Sequence, residues 1–125
     1  MGNRAVITTA DNFFKGGVGV YIHWNGSPAD VQKMLDICKE KGYRAPEDDP
    51  YGWAYLCREY GNFFDSGLSV GIDLVSKLDT NNGDNGTYFI EDWKIIDGMY
   101  NNEAKMNQFF KDQGRERKEV ELCII

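Results

Sequence analysis

The feature that most constrains the fold is an aromatic-rich run from Asp49 to Phe64. Asp49 is suited to cap a helix, and Pro50 suits its first turn, where the missing N–H costs nothing. Four bulky or apolar residues then recur at i, i+3, i+4 and i+7, the spacing of one helix face: Trp53, Leu56, Cys57 and Tyr60. Burial of one large apolar side chain stabilises a protein by roughly 1.5–3 kcal/mol. We therefore expect this helix to form the core of a small domain.

Length and composition predict a single folded domain spanning residues 1–125, with a core over 1–100 and a C-terminal extension over 101–125. With 42% hydrophobic residues, the chain can bury enough surface to offset the entropy lost on ordering. Its apolar runs are too short to span a bilayer, and no basic-then-apolar leader stands at the N-terminus. The expected location is therefore the cytoplasm.

The cysteines argue against metal and disulfide chemistry. Cys38, Cys57 and Cys123 include no C-x-x-C pair, and His23 is the only histidine. Structural zinc sites usually draw their ligands from closely spaced pairs, and three cysteines do not make a disulfide framework. We expect no metal and no cofactor.

The net charge of −6 argues against direct nucleic-acid binding, which depends on cationic surface. Acidic residues cluster at 47–49, 79–84 and 91–92. These clusters fit either a solvated surface that maintains solubility or an acidic surface that docks on a nucleic-acid-binding protein.

Two β-prone segments, 4–9 and 18–24, precede the helices and are expected to pair, with a turn region over 11–17. Ser27 and Pro28 predict the start of a helix that Gly42 ends. The short polar link over 43–48 predicts that this helix and the aromatic helix are neighbours.

The second half of the chain predicts two strands, 68–75 and 87–96, joined by a hairpin turn over 79–86. The turn resembles a calcium loop, but Gly83 falls where a ligand is expected and the twelfth position lacks glutamate. A helix over 103–112, capped near Asn102, and an apolar C-terminal segment over 119–125 follow. Because an unpaired apolar strand is a liability, that segment is expected to pair with its own sheet or with a second copy, giving a homo-oligomer.

The resulting fold class is α+β, with a mainly antiparallel sheet of order β-β-α-α-β-β along the chain. Two helices are expected on one face, with a C-terminal helix and an extra strand appended.

A set of short motifs over residues 3–98 resembles small phage and mobile-element proteins of Gram-positive bacteria. The motifs are NRAVI, GVYIHWNG, YGW, GNFF, SVGID and DNG. The group carries no known catalytic residues, so the resemblance implies a context: small accessory phage proteins are often antagonists of host defence. It implies a candidate anti-defence, anti-CRISPR-like protein that acts in the cytoplasm of the infected host.

The first functional hypothesis is a non-enzymatic inhibitor that binds a host nucleic-acid-targeting defence protein through acidic loops. The carboxylates with most freedom to meet a partner are Glu47, Asp48, Asp79 and Asp84. An enzyme is not expected, because the adjacent carboxylates Asp48 and Asp49 fit helix capping better than proton sharing.

The alternative is a protein that sequesters a cyclic nucleotide or another nucleotide-derived immune signal. Such a site needs aromatic stacking and convergent cations. The residues available for it are Trp24, Arg44, Arg58, Tyr88 and Trp93. The same aromatic rings also fit a hydrophobic core, and the sequence leaves both interpretations open.

Overall fold

A computed structural model describes residues 2–65 and 69–118. In this part of the chain the strands are β1 Ala5–Thr8, β2 Val18–Ile22, β3 Val70–Leu74, β4 Thr87–Glu91 and β5 Lys94–Met99. The helices are α1 Ala10–Lys15, α2 Pro28–Glu40, α3 Tyr51–Phe63 and α4 Glu103–Gln113, with a short 3₁₀ turn at Val75–Lys77. The α+β class predicted from the sequence is confirmed.

The strands form one mixed sheet in the order β3-β2-β1-β4-β5. β1 pairs with β2 in antiparallel register, Val6 opposite Tyr21, as the sequence predicted. β1 also pairs with β4 in parallel register, Val6 opposite Thr87, and the remaining pairs are antiparallel. The sheet is therefore mostly antiparallel, with one parallel pair at its centre.

Helices α2, α3 and α4 cover one face of the sheet and form the main core with it. Trp53 is 6% exposed, Leu56 is fully buried and Tyr60 is 1% exposed, so the aromatic helix is a core element as predicted. Glu59 of the same helix is buried as well, although its position on the helical wheel does not predict this. Lys41 and Tyr43 donate hydrogen bonds to its carboxylate, which provides the partners that a buried charge requires.

Helix α1 replaces the turn that the sequence predicts over 11–17. Thr9 caps this helix by accepting a hydrogen bond from the Asn12 N–H. The rings of Phe13 and Phe14 lie 5.1 Å and 5.7 Å from the Phe89 ring, centre to centre. Phe89 comes from β4, so this helix is held by aromatic packing on a strand far away in sequence.

The prediction of a hairpin over 79–86 is wrong. β3 pairs with β2 at the edge of the sheet, whereas β4 pairs with β1, so the segment between β3 and β4 is a crossing connection. Asn82 holds this connection by donating to the oxygens of Asp79 and Gly86. Its side-chain oxygen accepts from the N–H groups of Asp84, Asn85 and Gly86. The two Asn-Gly pairs, at 82–83 and 85–86, therefore lie in a loop whose backbone is held by hydrogen bonds to the side-chain amide of Asn82.

The predicted strand over 87–96 is in fact the hairpin of β4 and β5. Glu91 pairs with Lys94, and the two residues between them, Asp92 and Trp93, have φ angles of 49° and 62°. Positive φ at both central residues is what a type I′ turn requires. The sequence has no glycine at these two positions. The indole N–H of Trp93 donates to the backbone carbonyl oxygen of Tyr43 at 2.8 Å.

The ends of α2 and α4 follow the sequence signals. Ser27 caps α2 with Pro28 at the first position, and Asn102 caps α4, which ends at a left-handed Gly114. At α3, the predicted cap Asp49 lies one residue too early: Pro50 occupies the N-cap without a side-chain cap bond, and Asp49 accepts the Tyr51 N–H. The predicted strand over 119–125 lies outside the described residues. No helix in the described ranges is long and apolar enough to cross a membrane.

Candidate partner-binding groove

The linker between α2 and α3 is a tight turn held by its own backbone. The N–H groups of Asp48 and Asp49 both donate to the Ala45 oxygen. A β-carbon at Gly52 would lie 2.6 Å from the Pro46 nitrogen, closer than real β-carbons approach other atoms. Glycine at this position lets α3 pack directly on the linker, which fixes where residues 46–49 emerge.

The β4–β5 turn holds the same linker from the other side. The Glu47 carboxylate accepts the Asp92 N–H at 2.6 Å, and Lys39 lies 2.8 Å from the Asp92 carboxylate. Together with the Trp93 hydrogen bond to Tyr43, these contacts tie the linker to the sheet. The acidic linker is therefore a positioned surface rather than a free loop.

An open groove of about 420 Å³ lies between this linker, α1 and the start of β2. Its floor includes Thr9, Val18 and Trp53. Four carboxylate residues line it: Asp11, Glu47, Asp48 and Asp49. Among the described residues that line the groove there is no lysine or arginine, so its own charge is strongly negative.

Two of the four carboxylates have cationic partners just outside the groove. Arg44 lies 2.7 Å from Asp49, and its hydrogen bond, together with the Tyr51 N–H, lowers the pKa of that carboxyl. Asp11 lies 3.1 Å from Lys15 on a highly exposed helix turn, a pair that contributes little stability. Glu47 and Asp48 are exposed. Asp49 thus positions the start of α3, whereas Glu47 and Asp48 present their charge to solvent.

Asp79 and Asp84, the other two predicted partner-binding residues, lie with Arg4 and not in this groove. Arg4 contacts Asp84 at 2.8 Å and Asp79 at 3.6 Å. The hydrogen bond from Arg4 lowers the pKa of Asp84. The structure therefore brings Glu47 and Asp48 together with Asp11 and Asp49, and it uses Asp84 to hold the N-terminus of β1.

The three aromatic residues of the alternative ligand site, Trp24, Tyr88 and Trp93, do not form an exposed site together. Tyr88 and Trp93 are each 1% exposed, and their polar atoms donate to the oxygens of Gly26 and Tyr43. Trp24 is 45% exposed and packs edge-on against His23, whose ring nitrogen bonds the Tyr21 hydroxyl. The rings of Tyr88 and Trp93 are core residues in this structure.

A different aromatic cluster surrounds Arg44. Tyr43 and Tyr55 stack at 4.3 Å between ring centres, and Tyr51 lies 6.3 Å from Tyr55. With Arg44 and Gly42 they line a second depression of about 210 Å³. Tyr51, Tyr55 and Arg58 stand at i, i+4 and i+7 of α3, so they share one stripe of the helix. We call this set of tyrosines, with Arg44 and Arg58, the tyrosine cluster. The spacing of Tyr51, Tyr55 and Arg58 is the sequence signal that indicates it.

The charged and aromatic side chains of these two surfaces are suited to binding a partner or a ligand. In residues 2–65 and 69–118, no three His, Cys, Asp or Glu side chains are arranged to hold a metal ion. Burial raises the pKa of Cys38 to about 12 and also raises that of Cys57, so both thiols are poor nucleophiles. No protein-family model, curated protein or solved structure matches the chain.

Proposed function

We propose that the protein is a non-enzymatic phage counter-defence protein that binds and inhibits a host nucleic-acid-targeting defence effector. The binding surface is the acidic groove formed by Asp11, Glu47, Asp48 and Asp49. The observation that carries the proposal is the convergence of these carboxylates, from α1 and from the α2–α3 linker, on one groove without a lining lysine or arginine. The counter-defence context rests on the sequence resemblance.

Physical complementarity supports this choice of partner. A channel that binds nucleic acid is rich in lysine and arginine, because phosphate neutralisation supplies much of its affinity. An acidic protein competes for such a channel, and opposite charge speeds the encounter. The net charge of −6 adds to the attraction between the acidic groove and a basic channel.

The fixed geometry of the linker also favours binding. Glu47 is held by the Asp92 N–H, and the backbone of Asp48 is held by the Ala45 oxygen. Charges that are already positioned lose less conformational entropy when a partner engages them. The groove therefore suits a stoichiometric inhibitor.

The test is phage protection in host strains that each carry one defence system. Wild-type protein is expected to restore phage growth against at least one system, and Asp48→Lys is expected to reduce that protection. Glu116→Lys is the matched control, because it makes the same charge change at an exposed position that does not line the groove. Equal protection by wild type and Asp48→Lys, or no protection in any strain, would contradict the proposal.

The second candidate is sequestration of a nucleotide immune signal, and the tyrosine cluster is the observation that favours it. Stacked tyrosines accept a nucleobase, and Arg44 and Arg58 supply positive charge for phosphate. Asp49 already pairs with Arg44, which weakens its attraction for a second anion. For this reason the acidic groove remains the first candidate.

A further inference from the structure

Strand β3 is an open edge of the sheet. It lies at one end of the strand order and pairs with β2, and no other strand within residues 2–65 and 69–118 pairs with it. The opposite edge, β5, is covered in part, because the Lys118 N–H donates to the Ile96 oxygen. An open edge presents backbone N–H and C=O groups that can pair with a further strand.

The hydrogen bonds at the two ends of β3 show which of its backbone groups face outwards. The Ser69 oxygen accepts from the residue after β2, and the Val75 N–H donates to the residue before β2. In an antiparallel ladder the bonds to one neighbour fall on alternate residues. The odd-numbered residues therefore bond to β2, and the backbone groups that point away from it belong to Val70, Ile72 and Leu74.

This edge lacks the features that usually block the addition of a strand. Natural edge strands are commonly protected by lysine, proline or a bulge. β3 has the sequence VGIDL, without lysine or proline, and its register with β2 runs without a shift. Ile72 is 50% exposed and Leu74 is 45% exposed, so two aliphatic side chains stand beside the outward backbone groups. A local bond competes with strand addition, because the Asp73 carboxylate accepts the Leu74 N–H.

The order of residues in β3 fits an antiparallel copy of the same strand. With Ile72 opposite Ile72 of the second copy, Val70 lies opposite Leu74 and Gly71 lies opposite Asp73. Alternate residues of a strand share a face, so the three apolar residues meet their counterparts on one face. On the other face glycine leaves room for the carboxylate, and the two Asp73 side chains are diagonal rather than directly opposite. The strand is therefore complementary to itself in this register.

We propose that β3 pairs with β3 of a second copy about a two-fold axis at Ile72, which joins the two five-stranded sheets into one. A bond between the copies then replaces the contact between Asp73 and the Leu74 N–H. The interface is small, so the dissociation constant is expected to be roughly 10–100 μM. β3 contributes no residue to the acidic groove, so this proposal and the proposed function can fail independently.

The test measures self-association by sedimentation equilibrium. Ile72→Lys places two ammonium groups directly opposite each other and is expected to weaken the dimer at least about tenfold. Because Ile72 is half exposed, the variant is expected to fold, which circular dichroism checks. Ile37→Lys is the matched control: it makes the same change at an isoleucine of α2 that is 39% exposed, and it should dimerise as wild type does.

A charge swap tests the two-fold register. Ile72→Glu alone should also dimerise weakly, because like charges again meet at the axis. An equimolar mixture of Ile72→Lys and Ile72→Glu should form a heterodimer, since opposite charges then face each other. Added salt should tighten the wild-type dimer, because each copy carries a net charge of −6 and screening reduces their repulsion.

Three results would overturn the proposal. The first is a wild type that stays monomeric at about 1 mM, well above the expected dissociation constant. The second is a dimer that Ile72→Lys leaves as stable as wild type; if deletion of residues 119–125 then abolishes it, the interface is the C-terminal segment instead. The third is a mixture of Ile72→Lys and Ile72→Glu that does not associate, which would mean that residue 72 does not meet its counterpart.

Discussion

Replacing Asn82 by alanine tests how the connection between β3 and β4 is held. The Asn82 side chain donates two hydrogen bonds and accepts three, all with the backbone of residues 79–86. The residue is 4% exposed, so water does not replace these bonds freely. The variant leaves several buried backbone groups without their partner.

The size of the effect follows from which groups keep another partner. The Asn85 N–H also bonds the Arg4 oxygen, and the Gly86 oxygen also accepts the Val6 N–H. The Gly86 N–H is the buried donor that depends most on Asn82. Counting about three effective bonds at about 1 kcal/mol each, we expect Asn82→Ala to lower the free energy of unfolding by about 3 kcal/mol.

The assay is chemical denaturation followed by tryptophan fluorescence. Asn81→Ala is the matched control: Asn81 is exposed, and its loss should change stability by less than about 0.5 kcal/mol. Asn82→Asp should also destabilise, because a carboxylate oxygen would face the oxygens of Asp79 and Gly86. If Asn82→Ala costs no more than Asn81→Ala, the loop is held by other contacts and this account of it is wrong.

Three further predictions concern the core, pH and the second candidate function. Trp53→Ala should lower the free energy of unfolding by about 3–5 kcal/mol, because it leaves a cavity beneath the acidic groove; an unchanged melting curve would contradict its burial. The hydrogen bond from Lys41 lowers the pKa of Glu59 in the folded protein. The stability contributed by the ionised Glu59 is therefore complete above about pH 4.3, the pKa of an unperturbed glutamate, and is lost as the pH falls through the lowered folded-state pKa. Glu59→Gln should therefore be less stable than wild type at neutral pH and lose less stability on acidification. The free energy of unfolding measured against pH would show this, and equal pH dependence in the variant and wild type would refute it. If the tyrosine cluster binds a cyclic nucleotide, ligand at a hundred times its dissociation constant should stabilise wild type by about 2.7 kcal/mol in a thermal shift assay, and Arg58→Ala should abolish the shift; no shift with any nucleotide would remove this candidate.

Local signals predicted the elements whose ends depend on local chemistry. Ser27 and Pro28 begin α2, Asn102 begins α4, and Gly114 ends it, because caps and left-handed glycines act within a few residues of the chain. The core face of α3 followed from its apolar spacing for the same reason.

The elements that the sequence did not reveal depend on distant partners. Helix α1 is six residues long, too short for a clear periodicity, and it is held by the ring of Phe89. The turn at Asp92 and Trp93 lacks glycine, and burial of the indole fixes it instead. Both outcomes are set by packing across the sheet, which local propensity does not encode.

The candidate site was predicted only in part, again for a physical reason. Glu47 and Asp48 were identified because they lie in a polar linker, and the structure places both in the groove. The sequence predicts a turn at Asp11, far from the linker along the chain, and the pairing of Asp84 with Arg4 spans 80 residues. Which carboxylates converge is a property of the tertiary fold.

The most direct test of the acidic groove is the salt dependence of binding to the purified effector that the protection assay identifies. Calorimetry should show that wild-type affinity falls as salt rises, since opposite charges are screened. Asp48→Lys should bind more weakly and with a flatter salt dependence, whereas Glu116→Lys should keep a salt dependence close to that of wild type. If Asp48→Lys binds as tightly as wild type with the same salt dependence, the groove is not the binding surface; loss of protection in Arg58→Ala would then favour the tyrosine cluster.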